Sequence, residues 1–253
     1  MKVLISFLSI LFLLFLGSCK KDSSSPISPA DSTTRIQTIK QYTDSSFTNV
    51  FLLTNLTYDA SGRCLLKVSD NNIQNLHSVD SFYYSANVIK WIKYSYLLST
   101  PSDITSYTTT YNLDSNGRAY SSSDDTPDNT QTTYFYDGSG YLLKKIDNTV
   151  YNSETTFYTN ISGNPSYINY GGSNNATQTF TDKSNFIGLE NMGVLFLGKQ
   201  NENLVFKTIW SINTAYSSQD LYEYTFDSQG RPKRQIEISG LQHKVFCLSY
   251  TYK

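Results

Sequence analysis

The sequence is short of charge, histidine, cysteine and long apolar runs, and each shortage removes a class of function. Charged residues are 16% of the 253 positions, against about 25% in an ordinary soluble chain. Twenty basic side chains face twenty-one acidic ones, for a net charge of −1 with no basic cluster. Nucleic acid is therefore not an expected partner, because it is held by clustered Lys and Arg. The two histidines, His77 and His243, lie far apart, and neither His-x-x-x-His nor Cys-x-x-Cys occurs. A zinc site needs three or four ligands, so no metal is expected. Neither a Gly-x-Ser-x-Gly elbow nor a phosphate-cradling loop is present. The sequence predicts no catalysis and no cofactor. A glycan-active hydrolase, which needs only two convergent carboxylates, is the remaining enzymatic alternative.

The longest apolar run, Val3 to Leu16, is broken by Ser6 and Ser9 and preceded by Lys2. It is shorter than the about 20 residues that span a bilayer and matches a secretory signal instead. It ends in Leu16-Gly17-Ser18-Cys19, which resembles a bacterial lipobox. That resemblance implies a signal peptide over 1–18 and a diacylglycerol on the Cys19 thiol, holding the protein to a membrane. Lys20-Lys21-Asp22 partly resembles a surface-export signal, so the outer-membrane protein is expected to face either the periplasm or the cell surface. Residues 19–34 carry the acyl group and a Ser/Pro-rich tether, roughly 20 Å long as a flexible coil.

What the chain has in abundance is Tyr, at 21 residues, together with Ser, Thr and Asn. From residue 35 to 253 it reads as a single domain. Runs rich in Thr, Tyr, Val, Ile and Phe alternate with polar residues and are broken every about 8–14 positions by turn residues, the all-β signature. One cassette recurs: Tyr134-Phe135-Tyr136-Asp137-Gly138-Ser139-Gly140, Leu56-Thr57-Tyr58-Asp59-Ala60-Ser61-Gly62-Arg63, Tyr111-Asn112-Leu113-Asp114-Ser115-Asn116-Gly117-Arg118 and Tyr224-Thr225-Phe226-Asp227-Ser228-Gln229-Gly230-Arg231. Degenerate copies stand at 82–87, 157–163 and 180–185. Asp-x-x-Gly between alternating runs is a hairpin signal. The Asp can bond amides inside the turn, and the Gly can take the left-handed region. Asp59, Gly62, Asp114, Gly117, Asp137, Gly140, Asp227 and Gly230 are thus read as structural. Pairing across the turn sets Tyr58 opposite Cys64, Leu56 opposite Leu66 and Thr54 opposite Val68. Leu204, Phe206, Trp210 and Ile212 are expected on one strand face.

The Asp positions differ by 55, 23 and 90, multiples of one hairpin-sized unit, which marks a repeat architecture. Tyr136-Asp137-x-x-Gly140, Tyr58-Asp59-x-x-Gly62-Arg63 and Phe226-Asp227-x-x-Gly230-Arg231 resemble the YD repeats of RHS-type proteins. With the lipobox, the whole chain resembles YD-repeat lipoproteins typical of Bacteroidota, a family without an assigned function. That resemblance implies a β-rich repeat region behind a lipidated Cys.

The expected fold is one strongly curled, up-and-down antiparallel sheet of about 14 strands, an open or half-closed barrel. Residues 186–196 interrupt the pattern and are read as a short helix or irregular plug against its concave side, with two further buried strands as the alternative. Cys64 and Cys247 are read as buried thiols, with a disulfide as the alternative in an exported protein. Asp124-Asp125-Thr126-Pro127-Asp128 is read as a solvated turn, with weak calcium binding as its alternative. The expected role is a non-catalytic, membrane-anchored envelope lipoprotein binding a glycan, peptide or protein partner, the ligand entering the concave mouth beside the plug. A structural or assembly lipoprotein is the second reading.

Overall fold

In the computed structural model, residues 34–148, 153–160, 162–199, 201–212, 216–240 and 244–253 are described, the side chains of 216 and 244 excepted. The segments expected to be signal and tether, with Cys19 and His243, lie outside them. The described residues form sixteen strands: β1 (Ile36–Tyr42), β2 (Val50–Tyr58), β3 (Cys64–Asn71), β4 (Leu76–Tyr84), β5 (Val88–Leu97), β6 (Thr100–Leu113), β7 (Ala119–Asp124), β8 (Gln131–Tyr136), β9 (Leu142–Asn148), β10 (Ser153–Thr159), β11 (Pro165–Asn169), β12 (Asn175–Ser184), β13 (Asn203–Ile212), β14 (Tyr216–Phe226), β15 (Pro232–Ser239) and β16 (Lys244–Tyr252). Each pairs antiparallel with its sequence neighbours, and β1 pairs with β16 from Ile36↔Tyr252 to Tyr42↔Cys247. The sheet is a closed barrel. The open or half-closed barrel expected from sequence is thereby corrected, as is the count of about 14 strands. Sixteen strands about 4.8 Å apart and tilted about 40° enclose a cylinder roughly 30 Å across, wide enough to leave a lumen.

The turns explain the closure. In the first cassette the Asp59 amide donates to the Arg63 carbonyl at 3.0 Å and the Gly62 amide to the Asp59 carbonyl at 3.0 Å. Asp59 Oδ1 accepts the amides of Ser61 and Arg63, both at 2.9 Å, and Oδ2 accepts Arg63 Nε at 2.6 Å. Asp114 and Asp227 repeat the whole set, guanidinium included. Asp137 repeats it with the Tyr141 amide in place of an arginine. Asn160 does the same toward Ser162 and Asn164. Gly62, Gly117, Gly140 and Gly230 have φ of +75°, +77°, +91° and +76°. Of the other degenerate copies, Ser85–Asn87 makes a tighter hairpin, its Ser85 amide bonding the Val88 carbonyl at 2.9 Å. Residues 180–185 make none and lead into the insert.

Each cassette is followed by a bulge. Tyr58 faces Cys64 as the pairing arithmetic expects, but Thr57 then faces Leu66 and Leu56 faces Lys67. The expected pairs Leu56–Leu66 and Thr54–Val68 are therefore each one residue out of register. Leu65 is the extra residue, and Leu66 and Val68 turn to the outer face. The same shift occurs at Leu113/Ala119, Tyr136/Leu142, Thr159/Pro165 and Phe226/Pro232. Bulges increase strand twist and bend the sheet. Five of them around one end supply curl that a regular hairpin reading lacks. A further shift between β12 and β13 puts Phe206 on the outside at 49% exposure while Leu204 is buried, separating two residues expected on one face.

Because strands run up and down, the cassette turns, the chain near residue 35 and the β16 terminus all lie at one end, here the turn end. The loops β1–β2, β3–β4 and so on to β15–β16 lie at the other, the open end. The core sits at the turn end: Leu56, Cys64, Phe82, Ile89, Tyr111, Ile36 and Tyr250 pack around Phe196, which comes from the insert between β12 and β13.

Candidate binding lumen

The insert, described over residues 185–199 and 201–202, crosses the turn end from inside. It is irregular, with turns and one 3-10 turn at Leu195–Leu197. The reading of a short helix or irregular plug holds, as an irregular segment with one 3-10 turn, and the alternative of two further strands does not. The segment is rich in Asn and Gly, which favour turns, and it satisfies its main chain by bonding to the barrel. The Cys64 amide donates to the Gly193 carbonyl at 3.1 Å, the Lys199 amide to Gly140 at 2.8 Å, the Glu202 amide to Gly163 at 3.3 Å and the Ile36 amide to Asn191 at 3.1 Å. Three of these contacts are to cassette hairpins, so the turns serve twice: they close the strands and they seat the plug. Gly193 and Gly198 have φ of +74° and +76°. A Cβ on Gly193 would meet the Cys64 amide nitrogen at 2.6 Å and the Gly62 carbonyl at 2.9 Å. Arg35, 1% exposed, donates from Nη1 to the Glu190 carbonyl and lies over the Tyr58 ring. Burial lowers its pKa, against a smaller opposite pull from Tyr58 and Asp59.

Between plug and wall the lumen keeps a cavity of about 370 Å³. Strands β8 to β12 supply Tyr134, Leu142, Lys145, Phe157, Ile168 and Gln178, and the plug supplies Leu189, Leu197 and Lys199. A smaller cavity of about 120 Å³, beside Phe82, Trp91 and Met192, is almost wholly apolar. Further toward the open end the inner wall becomes polar. Both tryptophans point inward and donate to a buried carboxylate on a neighbouring strand, Trp91 to Asp80 at 3.1 Å and Trp210 to Asp220 at 2.6 Å. Asp80 also takes Lys67 at 3.3 Å. Glu237 sits near Asp220, and burial first, then that charge, raise its pKa. Burial raises the hydroxyl pKa of Tyr134 and Tyr222, the latter to about 12, so both are neutral donors at physiological pH.

The sequence-level site residues divide cleanly. The Asp and Gly of the four cassettes are structural groups at the turn end, and none lines the 370 Å³ cavity. Among the lining residues Tyr134 opens one cassette and Phe157 a degenerate copy, but no motif marks the set as a site. Only the position of the apolar 186–197 stretch pointed toward them. Cys64 and Cys247 are both free and buried, so the disulfide alternative is not formed. Cys64 lies in the inner core, whereas Cys247 alternates with Leu248, which packs inward, and so faces away. Burial pushes the Cys64 thiol up to about 12. Asp124 accepts Thr126 Oγ1 at 2.6 Å and the Thr130 amide at 3.0 Å, as a closed turn does. Among the described residues no three His, Cys, Asp or Glu gather as metal ligands.

The outer wall carries charge between its apolar residues. Lys90 and Arg234 are exposed, and Lys144 bridges to Glu154 at 2.8 Å beside the exposed ring of Phe135. Strands β7 to β11 have only five to seven residues.

No known protein family matches the sequence, and no curated protein is similar to it. Solved structures do share its shape. A porin-like protein from Bacteroides uniformis superposes with a TM-score of 0.58 at 14% identity, over 86% of this chain and 98% of that one. A porin-like protein from Bacteroides vulgatus gives 0.53 at 11% identity, over 87% and 99%. At such identities the likeness is one of fold.

Proposed function

We propose that this chain is a non-catalytic lipoprotein of the bacterial outer membrane, a lipid-tethered barrel that binds a ligand in its lumen. The observation that carries the reading is the plug. It turns a closed cylinder into a cup with one blocked end, and it leaves a cavity of about 370 Å³ at the bottom, within the 300–1,000 Å³ of ligand pockets. The porin-like neighbours support an envelope barrel. The lipobox at Cys19 supplies the anchor. Because the chain enters the barrel at the turn end, the tether holds that blocked end toward the membrane. The open end and its loops then face away, toward a glycan, peptide or protein partner.

The wall supports a barrel standing in water beside the bilayer rather than through it. A spanning strand needs about 9–11 residues and an apolar band about 25 Å tall. Strands β7, β8 and β11 are shorter than that, and the outer face carries Lys90, Lys144 and Arg234 between its apolar residues, charges whose cost on a lipid-facing wall grows with depth. Brief trypsin treatment of washed membranes, cutting after Lys20 or Lys21, should release the barrel without detergent. A barrel that stays with the membrane until detergent is added would overturn this placement. A lumen ligand should also raise the melting temperature, since saturation at 100 times Kd contributes about 2.7 kcal/mol. A panel of glycans, peptides and small anions tests this. A shift that survives filling the cavity with Thr159→Trp would place binding elsewhere.

A further inference from the structure

We propose that the cavity beside the plug takes a small amphipathic anion, with an apolar body and one carboxylate- or sulfonate-type group received by Lys199. The proposal rests on the lumen-binding reading above and names the class of ligand.

The lining decides the class. Leu142, Phe157, Pro165, Ile168, Leu189 and Leu197 form an apolar wall. Two ammonium groups, Lys145 and Lys199, lie in the same lining, which holds no carboxylate. Lys145 is already bridged to Asp147 at 2.9 Å. Lys199 is different. Its amide is fixed to the Gly140 carbonyl at 2.8 Å, and its ammonium stands 5.3 Å from the Tyr141 ring centroid. Among the described residues no carboxylate lies within 4.0 Å of its Nζ. The nearby Glu202 accepts the Tyr141 hydroxyl. A held cation in an apolar cup has lost part of its hydration, and an anion arriving there recovers it through charge-assisted hydrogen bonds.

A sugar or a peptide fits this wall less well. Either would bring polar groups along its whole length, and each one left without a partner costs about 1–3 kcal/mol. The polar side chains available are few and partly engaged: Gln178 reaches Thr208 Oγ1 at 3.5 Å, and Asn201 donates to the Asn203 carbonyl. An apolar body asks for none of these.

The full lipidated chain in nanodiscs, with empty nanodiscs subtracted, should be titrated calorimetrically at pH 7.5 with 2-naphthoate, 2-naphthol and glucuronate. Naphthoate should bind at least about tenfold more tightly than naphthol, equivalent to 1.4 kcal/mol, and glucuronate should not bind measurably. Lys199→Gln should weaken naphthoate about tenfold, leave naphthol unchanged and keep the melting temperature. Equal affinity for naphthoate and naphthol, an unchanged ratio in Lys199→Gln, or no binding of naphthoate would each overturn the ligand class. Thr159→Trp, or Gln178→Trp if the first does not fold, separates the two readings. If filling abolishes binding while Lys199→Gln does not change it, the lumen site stands and the class is wrong. If neither variant affects naphthoate binding, the lumen reading itself fails.

Discussion

Replacing Gly193 by Ala isolates the bond between plug and barrel, because the chain contains its own controls. At Gly117 and Gly230, φ is +77° and +76° and a built Cβ meets nothing within 4 Å. Ala at either therefore carries only the cost of the left-handed region, about 1–2 kcal/mol. At Gly193 φ is nearly the same, +74°, but the Cβ would stand 2.6 Å from the Cys64 amide nitrogen, 2.9 Å from the Gly62 carbonyl and 2.9 Å from the Tyr58 ring. Two of those atoms are backbone and cannot rotate away. The plug must lift, breaking the bond from the Cys64 amide to the Gly193 carbonyl. A buried amide left without a partner costs about 1–3 kcal/mol more. Gly193→Ala should therefore lose about 2–5 kcal/mol in all. For a domain of this size 1 kcal/mol shifts Tm by about 2–4 °C, so the variant should melt roughly 5–15 °C below wild type and clearly below Gly117→Ala and Gly230→Ala. Circular dichroism melts of the three variants in parallel decide it. If Gly193→Ala melts with the two controls, the plug is not seated on the first hairpin.

Other consequences can be checked alongside. Cys64 and Cys247 should resist iodoacetamide in the folded protein and react only on unfolding, since burial holds both thiols protonated; fast labelling at neutral pH would contradict their burial. Asp59 and Asp227 are pulled two ways: burial raises their pKa, but the turn amides and arginines outweigh it and the net shift is downward. Their stabilisation is thus complete above the unfolded carboxylate pKa and lost as pH falls below about 4, and Asp227→Asn should flatten the acid limb of the stability–pH curve. Glu237 has the opposite sign, a raised pKa, so it favours folding when protonated and loses that advantage as pH rises. Glu237→Gln should therefore raise Tm at pH 7.5 and not at pH 4; an equal gain at both would refute the assignment. Cys19→Ala should abolish palmitate incorporation, and a labelled variant would remove the lipobox reading.

The hairpins were legible because their information is local. An Asp, two small residues and a Gly determine a turn wherever they stand, and even Asn160 in place of Asp reproduces it. The concave seat of residues 186–197 was legible because an apolar stretch without alternation has to be covered. Closure was not legible, since it depends on β1 meeting β16, two segments about two hundred residues apart with no pattern joining them. The bulges were missed for a subtler reason. Leu65, Tyr120 and Leu143 are ordinary strand residues, and nothing in their identity says that they face no partner. That one-residue slip carried Lys67 inward, where it meets Asp80, and sent Leu66 and Val68 out. The cavity was hidden for the same reason as closure. Tyr134, Phe157 and Ile168 come from three strands, Lys199 from the plug, and only the assembled barrel puts them around one space.

The seam between β1 and β16 has a consequence for how the molecule comes into being. Apart from β12 and β13, which are joined across the insert, every other strand pair can zip locally as a hairpin once its turn has formed. The seam joins Ile36–Tyr42 to Lys244–Tyr252, so it spans nearly the whole described chain and must come late, after its large loop-closure entropy has been met. Until then the nascent sheet has two raw edges, each able to recruit a strand from another molecule. The first strand of the barrel is thus also the strand that waits longest for its partner. During synthesis the first edge emerges some two hundred residues ahead of its mate. Truncation anywhere in the last hairpin should then yield not a smaller barrel but a sticky, polymerising sheet.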